Sequence, residues 1–291
     1  MSDKINKKIV ISAESTIDLP KNILEEFNIY TVPFTVLLGD KARLDGDFDI
    51  KEIFDFVFET KKLPKTSAVN EYQYQKHFNK LLKDYEYVIH FTLSSEMSSA
   101  YSNACKVSEG LNGRVFVIDS RSLSTGIALL AIYASKLTKV YDDPEKIVQM
   151  VKRRIPYDQA SFVLSKLDYL YKGGRCNSLQ LIASSLLRIR PQIVVDSGKM
   201  VDRKKFLGNY DSCVDKYVNT TLEQFPNPDL EEVFITYTTA KDSTVAKVKE
   251  KLIKRGFKNI RITHAGATIT SHCGEHCLGI LYINDGNINY D

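Results

Sequence analysis

Tryptophan is absent from this 291-residue chain, and cysteine is scarce. The five cysteines are odd in number and scattered, whereas a secreted disulfide framework would be even in number and denser. We therefore expect a protein of the reducing cytoplasm. With 43% hydrophobic and 26% charged residues, the composition is that of a globular protein and excludes the disordered, collagenous and coiled-coil classes.

Long hydrophobic runs are missing as well. The most apolar stretch, Ile127–Ala134, is eight residues long, and a helix needs about 20 apolar residues to cross a bilayer. The polar N-terminus, MSDKINKK, has no apolar segment of the kind that a signal peptide carries. Basic and acidic residues nearly balance, at 40 against 36. We therefore expect neither a membrane-spanning segment nor a nucleic-acid partner.

The chain also lacks the common phosphate-binding and hydrolase motifs. Neither a Walker A loop nor a G-x-G-x-x-G turn occurs, which disfavours an enzyme that uses a nucleotide itself. The G-x-S-x-G elbow of α/β-hydrolases is missing too. Because no catalytic constellation is visible, we assign no catalytic residue, no cofactor and no metal.

Short apolar runs alternate with helical patterns in the first half of the chain. The runs at Lys8–Ser12, Tyr87–Leu93 and Val115–Ile118 predict buried strands with helices between them, and Tyr30–Leu38 predicts a strand in which Pro33 suggests an edge position or a bulge. This alternation predicts a parallel sheet covered by helices on both faces, which is an α/β/α layer. The segment around Pro64–Val69 is predicted to be a loop.

The pattern changes after a helix that begins at Pro144 and ends near Pro156. We expect a domain boundary there, between an N-terminal domain (residues 1–156) and a C-terminal domain (residues 157–291). The second part predicts a mixed sheet with helices, including one near Leu179–Leu187, and a hairpin at the turn Asp196–Met200. Its six predicted strands are Ser161–Ser165, Gln192–Val195, Met200–Phe206, Val233–Thr238, Ile260–Thr263 and Leu278–Ile283.

Four serines within six residues follow the third predicted strand. Ser94 and Ser95 come directly after Tyr87–Leu93, and Ser98 and Ser99 open the next helix. Ligands bind beyond the carboxyl ends of parallel strands, where hydroxyl groups and free helix N–H groups form an anion site. Helix capping explains Ser98 alone. We therefore expect the run to bind an anion.

Two further polar segments are candidates for the same site. Thr66 and Ser67 lie in the predicted loop, where hydroxyl groups alternatively stabilise turns. Arg175 ends the sequence KGGR, which is equally typical of a helix C-terminus that leaves the arginine in solvent. Both interpretations stay open on these residues alone.

The sequence HAGATITSHCGEHC, at residues 264–277, carries the remaining candidates. His272, Cys273, His276 and Cys277 suggest zinc ligands. Against this, adjacent side chains of an extended segment point in opposite directions, and a second, separate ligand pair is missing. We therefore interpret His272 as a polar group in a ligand cleft. A serine with His272 as its base would make an acyl hydrolase, although no acidic third residue can be identified.

These segments, in this order, resemble the DegV family of fatty-acid-binding proteins, which includes the FakB subunits of bacterial fatty acid kinase. The resemblance spans nearly the whole chain, and its motifs are specific as a set rather than singly. They are SAESTIDLP (Ser12–Pro20), PKTSAV (Pro64–Val69), SSEMSSAY (Ser94–Tyr101), VIDS (Val117–Ser120), LDYLYKGGR (Leu167–Arg175) and HCGEH (His272–His276).

The resemblance implies two DegV-like α/β domains, the second with a mixed six-stranded sheet, and a carrier of one long-chain fatty acid rather than an enzyme. The acyl chain is expected in an apolar tunnel and the carboxylate between the domains. A separate ATP-binding kinase subunit is expected to dock and convert the carboxylate to an acyl phosphate. Carried over residue by residue, the fatty-acid-binding residues are Thr66, Ser67, Ser94, Ser95, Arg175 and His272.

Elementary energetics agree with such a site. A carboxylate in a dry cleft needs a hydrogen bond to each oxygen, and charge-assisted bonds contribute about 1.5–3 kcal/mol each. Each buried CH₂ contributes about 0.8 kcal/mol. The acyl chain would therefore supply most of the affinity, and the head group would set the orientation.

The chain departs from the family motifs near the expected head group. Ser99 and Ala100 stand where the serine motif has Gly and Thr, and Val69 stands where Pro is usual. Glu275 and His276 replace the Pro-Gly after the histidine, and a carboxylate at Glu275 would repel a bound carboxylate if it pointed inward. A divergent lipid-binding protein without a kinase partner is therefore an alternative.

Overall fold

The computed structural model describes residues 8–176, 189–286 and 288, so the helix predicted at Leu179–Leu187 lies outside the described residues. Strands and helices alternate in the N-terminal part, as predicted. They are β1 (Ile9–Glu14), α1 (Lys21–Glu26), β2 (Ile29–Val32), β3 (Thr35–Leu38), β4 (Lys41–Leu44), α2 (Lys51–Thr60), β5 (Lys65–Ser67), α3 (Glu71–Leu81), β6 (Tyr87–Thr92), α4 (Ala100–Glu109), β7 (Val115–Asp119), α5 (Thr125–Leu137) and α6 (Pro144–Arg154).

The C-terminal part contains longer strands and a mixture of long and short helices. Its elements are β8 (Asp158–Leu164), α7 (Asp168–Lys172), β9 (Ile189–Asp196), β10 (Lys199–Leu207), α8 (Tyr210–Gln224), β11 (Glu232–Tyr237), α9 (Asp242–Arg255), β12 (Asn259–His264), α10 (Ala267–Cys273) and β13 (Cys277–Ile283). No helix of the described chain combines the length and the apolar character needed to cross a membrane.

Four strands of the N-terminal part form a parallel sheet in the order β2-β1-β6-β7. All six residues of β1 are buried, as expected for a parallel strand that is covered on both faces. The predicted parallel sheet is confirmed.

The single strand predicted over Tyr30–Leu38 is wrong. The chain divides at Pro33 into β2, which joins the parallel sheet, and β3, which joins a separate antiparallel sheet in the order β4-β3-β5. Proline has no N–H group to donate to a strand ladder, so an apolar run that passes through it can change partners there. The loop predicted around Thr66 is also wrong, because Lys65–Ser67 pairs with β3.

The C-terminal sheet has six strands in the order β10-β9-β8-β13-β11-β12. All six strands were predicted, and the sheet is mixed because β11 and β12 pair in parallel while the other pairs are antiparallel. The predicted hairpin joins β9 to β10. Ser197 and Gly198 both have positive φ at its turn, which is the backbone geometry of a two-residue hairpin loop. The predicted α/β fold class, with a parallel sheet and a mixed six-stranded sheet, is therefore confirmed.

Helix α5 lies between the two large sheets. Eleven of its 13 residues are buried, and it packs on β1 and β6 of one sheet and on β8, β11 and β13 of the other. A helix that is covered on all sides requires apolar residues all round, which explains the run Ile127–Ala134. One hydrophobic core therefore extends through both parts of the chain. The domain boundary near residue 156 stays a prediction.

Helix α10 belongs to the C-terminal part by sequence but is held by the N-terminal part. The extended conformation expected for this segment is wrong. Asp18 accepts a hydrogen bond from the N–H group of Gly266 at 2.8 Å, and Asp45 accepts bonds from the N–H groups of Ala267 at 2.7 Å and Thr268 at 3.3 Å. Gly266 has no side chain with which to cap the helix, so the two carboxylates cap it instead.

Two neutral histidines, His77 on α3 and His90 on β6, contact the same hydroxyl group in the N-terminal part. Ser12 Oγ lies 2.6 Å from His77 Nε2 and 2.9 Å from His90 Nδ1. Burial lowers the pKa of His77 to about 4 and holds the pKa of His90 well below its ordinary value. Both rings are therefore uncharged near neutral pH.

The Asp45→Ala variant is expected to unfold more easily than the wild type. The substitution leaves two N–H groups at the buried start of α10 without an acceptor, which costs about 1–3 kcal/mol in the free energy of unfolding. Urea unfolding measures this difference. The exposed Asp47 provides the matched control, since Asp47→Ala is expected to stay within about 0.5 kcal/mol of the wild type. Equal losses in the two variants would contradict the capping role.

The stability contribution of His77 is expected to depend on pH. The unfolded ring binds a proton near pH 6.5 and the folded ring only near pH 4, so the unfolded state binds more protons between these values. The wild type should therefore lose up to about 3 kcal/mol, relative to His77→Gln, as the pH falls from 6.5 to 4. Urea unfolding at a series of pH values measures this, with His264→Gln at an exposed ring as the control. Parallel curves for wild type and His77→Gln would refute it.

Candidate functional site

A cavity of about 270 Å³ lies beside α10, where the N-terminal and C-terminal parts meet. Both parts contribute to its wall, which combines apolar side chains with hydroxyl groups, one imidazole and one guanidinium. The lining residues are Phe34, Thr66, Ser67, Ala68, Leu93, Met97, Ser98, Ser99, Leu123, Leu170, Arg175, Met200, Thr268, Ile269, His272 and Cys273.

Thr66 and His272 meet at the edge of this cavity. Thr66 Oγ1 lies 2.8 Å from His272 Nε2, although the two residues are 206 positions apart in the sequence. Alternation along β5 leaves Lys65 and Ser67 exposed and turns Thr66 inward, towards α10, which packs on β3 and β5. The structure therefore brings together two residues that the family motifs singled out.

The His272 ring is neutral, and only one of its two nitrogen atoms has a hydrogen-bond partner among the described residues. Burial, and to a smaller extent the charge of Arg175, lower its pKa to about 4. Its Nδ1 atom is buried and has no hydrogen-bond partner among the described residues. A methyl group at Gly173 would lie 2.8 Å from this atom, so the glycine makes room for the ring. A carboxylate that approached the ring would favour its protonated form.

Arg175 stands at the mouth of the cavity. Helix α7 ends at Lys172, and Gly174 then adopts a left-handed conformation with φ of 68°, as the KGGR sequence predicted for a helix C-terminus. The Arg175 side chain is exposed and its Nη1 donates a hydrogen bond to the Gly173 carbonyl at 2.6 Å. The guanidinium thus terminates the turn and also lines the cavity.

The serines after β6 divide into two pairs. Ser94 is buried and donates to the carbonyl of Gly198 at 2.7 Å, and Ser95 donates to Asp119 at 2.6 Å. Neither of these two lines the cavity, whereas Ser98 and Ser99 do. Of the six residues expected at the head group, the structure therefore places Thr66, Ser67, Arg175 and His272 around one cavity and directs the hydroxyls of Ser94 and Ser95 elsewhere.

A larger cleft of about 690 Å³ opens on the other side of the Thr66–His272 pair. It shares Thr66, Arg175 and His272 with the cavity. Asp40 is its one acidic lining residue, and within the described ranges no ion pair neutralises its cations. These cations are Lys61, Lys62, Lys65, Lys172 and Arg175.

A small pocket of about 30 Å³ lies behind the cavity, towards the six-stranded sheet. Leu123, Ile269 and Cys273 line both spaces. Only side chains therefore separate the cavity from the core around β8, β11 and β13.

Thr268 and Ile269 were missed from the sequence. Together with His272 and Cys273 they occupy one face of α10, because positions three and four residues apart lie side by side on a helix. This spacing is visible in the sequence, but it indicates a shared face only if the segment is identified as a helix.

The two histidines of the candidate zinc cluster point apart. His272 faces Thr66, while His276 Nδ1 lies 3.4 Å from Thr239 Oγ1. Over the described part of the chain, no group of three or more His, Cys, Asp or Glu side chains is arranged to hold a metal ion. Glu275 pairs with Lys166 at 3.4 Å and is absent from the cavity wall.

The acyl-hydrolase hypothesis needs a serine next to His272. The hydroxyl that His272 contacts belongs to Thr66, and the Ser94 hydroxyl is bonded to Gly198. No described carboxylate reaches His272 Nδ1 to orient the ring. Among the described residues, the geometry therefore offers no Ser–His–acid triad at this cavity.

Several curated proteins are similar to this chain over nearly its whole length. A DegV domain-containing protein of Clostridium acetobutylicum is 28% identical over 281 residues, which cover 95% of this chain and 99% of that one. A fatty acid-binding protein of Thermotoga maritima is 25% identical over 280 residues, covering 94% of this chain and 96% of that one.

Solved structures share the fold. A DegV lipid-binding protein of Thermotoga maritima superposes with a TM-score of 0.83 at 26% identity, covering 95% of this chain and 98% of that one. A fatty-acid-binding DegV family protein of Thermus thermophilus has a TM-score of 0.88 at 21% identity, with 95% and 99% covered. The family model described as "Uncharacterised protein, DegV family" matches residues 8–285. The chain therefore belongs to the DegV family.

Proposed function

We propose that this protein binds one long-chain fatty acid, with its carboxylate at the Thr66–His272 pair and its acyl chain in the cavity beside α10. The observation that carries the proposal is the 2.8 Å contact of Thr66 with His272 at the edge of a cavity that is otherwise largely apolar. The names of the relatives from Thermotoga maritima support it.

The head-group chemistry follows from four groups. The Thr66 hydroxyl donates to one carboxylate oxygen while its own oxygen accepts from His272 Nε2, and the negative charge of the carboxylate favours the protonated imidazole. Arg175 adds a permanent positive charge at the mouth. Ser67 supplies a further hydroxyl at the rim.

In this proposal, Ser94 and Ser95 do not contact the ligand; they stabilise the segments next to the cavity. Ser94 bonds to the carbonyl of Gly198, two residues before Met200, which lines the cavity. Ser95 bonds to Asp119. Ser94 thus fixes the β9–β10 turn against the end of β6, and Ser95 fixes the end of β6 to the end of β7. Loss of these hydroxyls would loosen one wall rather than remove a ligand contact.

The acyl chain occupies the apolar part of the cavity and extends towards the small pocket. Leu93, Leu123 and Ile269 line the first space, and Leu123 and Ile269 also line the second. With about 0.8 kcal/mol for each buried CH₂, a chain of fourteen or so methylenes dominates the affinity. A long saturated or unsaturated chain is therefore favoured over a short one.

Mass spectrometry tests the proposal directly. Protein purified from cells is measured under native and under denaturing conditions, and the difference gives the mass of any bound molecule. We expect about one long-chain fatty acid per chain. Folded protein that carries no lipid and takes up no added fatty acid would overturn the proposal. An activated ester hydrolysed by the wild type but not by Ser94→Ala would favour the hydrolase hypothesis instead.

The Thr66→Val variant is expected to bind hexadecanoic acid about tenfold more weakly than the wild type. Valine keeps the shape and removes the hydroxyl, so one carboxylate oxygen loses its partner at a cost of about 1–3 kcal/mol. Displacement of a fluorescent fatty acid measures the affinity. Thr60→Val, at an exposed threonine outside the cavity, is the control and should bind as the wild type does. Undiminished binding by Thr66→Val would remove the proposed anchor.

We further propose that an ATP-dependent kinase subunit docks over the basic cleft and phosphorylates the bound carboxylate. The chain has no phosphate-binding loop of its own. The four lysines of the cleft lie on the other side of the Thr66–His272 pair from the cavity, Arg175 lines both spaces, and no described ion pair neutralises these five cations. An acidic partner surface, or the phosphates of its nucleotide, suits such a cleft.

Reversing three charges of the cleft is expected to uncouple docking from lipid binding. A variant with Lys62→Glu, Lys65→Glu and Lys172→Glu should keep its fatty acid but lose at least tenfold in affinity for the kinase subunit of the same organism. Titration calorimetry and acyl phosphate formation with ATP measure the two effects. Charge reversal at Lys247, Lys249 and Lys254, on the exposed face of α9, is the matched control. Full phosphorylation with the first variant would contradict the docking site, and no phosphorylation with the wild type would favour a lipid binder without a kinase partner.

A further inference from the structure

A glycine at the end of α7 packs against the ring of His272. Gly173 has φ of −71° and ψ of −13°, a conformation that any residue adopts. A side chain nevertheless has no room there, since a Cβ atom would lie 2.8 Å from His272 Nδ1 and 2.8 Å from the Tyr169 carbonyl oxygen. The next residue, Gly174, has φ of 68° and serves the turn itself. Gly173 is therefore needed for the close approach of α7 to α10 and not for its backbone conformation.

This contact leaves one nitrogen of the His272 ring enclosed. The Nδ1 atom is buried and has no hydrogen-bond partner among the described residues. In protein interiors, N–H groups without an acceptor are rarer than acceptors without a donor. The neutral ring therefore keeps its single proton on Nε2 and leaves Nδ1 as a lone pair. A protonated ring also carries a proton on Nε2, so this atom is a donor in both states.

The position of this proton decides what Thr66 can do. Thr66 Oγ1 lies 2.8 Å from His272 Nε2, and a hydroxyl group has one proton to donate. With a proton on Nε2, the Thr66 oxygen accepts from the ring, and its own proton stays free for a ligand. With the proton on Nδ1 instead, the Thr66 hydroxyl would donate to Nε2 and could not donate to a carboxylate. The ring therefore fixes Thr66 as a donor.

The same glycine also holds the arginine at the mouth of the cavity. The Gly173 carbonyl accepts a hydrogen bond from Arg175 Nη1 at 2.6 Å, and the Gly173 N–H group donates to the Tyr169 carbonyl at 2.9 Å. Gly173 lines the basic cleft but not the cavity. It thus contacts two of the groups proposed to hold the head group, although it lies outside the cavity itself.

We propose that Gly173 is a positioning residue of the carboxylate site: it packs against His272, which fixes Thr66 as a hydrogen-bond donor to the ligand. This inference rests on the fatty-acid binding proposed above. A methyl group at position 173 would push the ring away from α7 and disturb its bond to Thr66. The carboxylate would then lose part of a charge-assisted hydrogen bond, although no group that touches it has been changed.

Nitrogen NMR of the His272 side chain tests the proton position in the ligand-free protein, because protonated and unprotonated ring nitrogens have different chemical shifts. At neutral pH we expect the wild-type ring to carry its proton on Nε2 and none on Nδ1. Gly173→Ala should show a mixture of the two forms. A wild-type ring with its proton on Nδ1 would overturn the inference, and this measurement does not depend on how well the variant folds.

Displacement of a fluorescent fatty acid by hexadecanoic acid measures the effect on binding. Gly173→Ala, which keeps the carbonyl that holds Arg175, should bind hexadecanoic acid about threefold to tenfold more weakly than the wild type. In a Thr66→Val background the same substitution should cause no further loss, because Gly173 acts through Thr66. Gly110→Ala is the matched control and should bind as the wild type does. A Cβ atom at Gly110 would have its nearest neighbour at 3.8 Å.

The possible failures are distinguishable. Undiminished binding by Gly173→Ala would overturn the inference. A loss that is as large in the Thr66→Val background would assign the effect to a general disturbance of α7 and α10, and would overturn it too. Urea unfolding of both glycine variants establishes that the protein measured is folded. Folded wild type that binds no fatty acid would overturn the proposed function and this inference with it, whereas the other outcomes leave fatty-acid binding intact.

Discussion

The capping of helix α10 by two carboxylates from the other part of the chain is the constraint on which the cavity depends. Asp18 and Asp45 accept hydrogen bonds from three successive N–H groups at the start of this helix. Burial raises the pKa of Asp18 well above its ordinary value, but the partial positive charge of a helix N-terminus compensates a nearby negative charge. The bonds fix the rotation of α10 and so decide which of its residues face the cavity.

The cavity wall is consequently shared between segments that are far apart in the sequence. One face of α10 contributes Thr268, Ile269 and His272, and the short strand β5 contributes Thr66. A small hydrophobic cluster of Val36, Ile53 and Ala267 packs this helix against β3 and α2. The three-stranded sheet, which is small and peripheral, thereby acquires a role: it holds Thr66 within hydrogen-bond distance of His272.

The elements that could be predicted from the sequence are those with a local signal. Continuous apolar runs identified the strands of both large sheets, and the family motifs identified Thr66, Arg175 and His272. The sequence could not predict α10, since ATITSHC is short and its cap is supplied by residues more than 200 positions away. The orientation of Ser94 could not be predicted from the sequence either, because its hydroxyl donates to the carbonyl of Gly198 on the distant β9–β10 turn.

A gradient of polarity runs through the site from the surface to the core. The outer cleft is rich in cations, the Thr66–His272 pair is polar and neutral, and the pocket behind Ile269 is enclosed by the core of the six-stranded sheet. An amphiphilic acid fits this gradient in one direction only, since the reverse orientation would bury a carboxylate among apolar groups and expose its chain to water. In the proposed function, the carboxylate therefore faces outward, next to the cations and to the surface proposed for the kinase subunit.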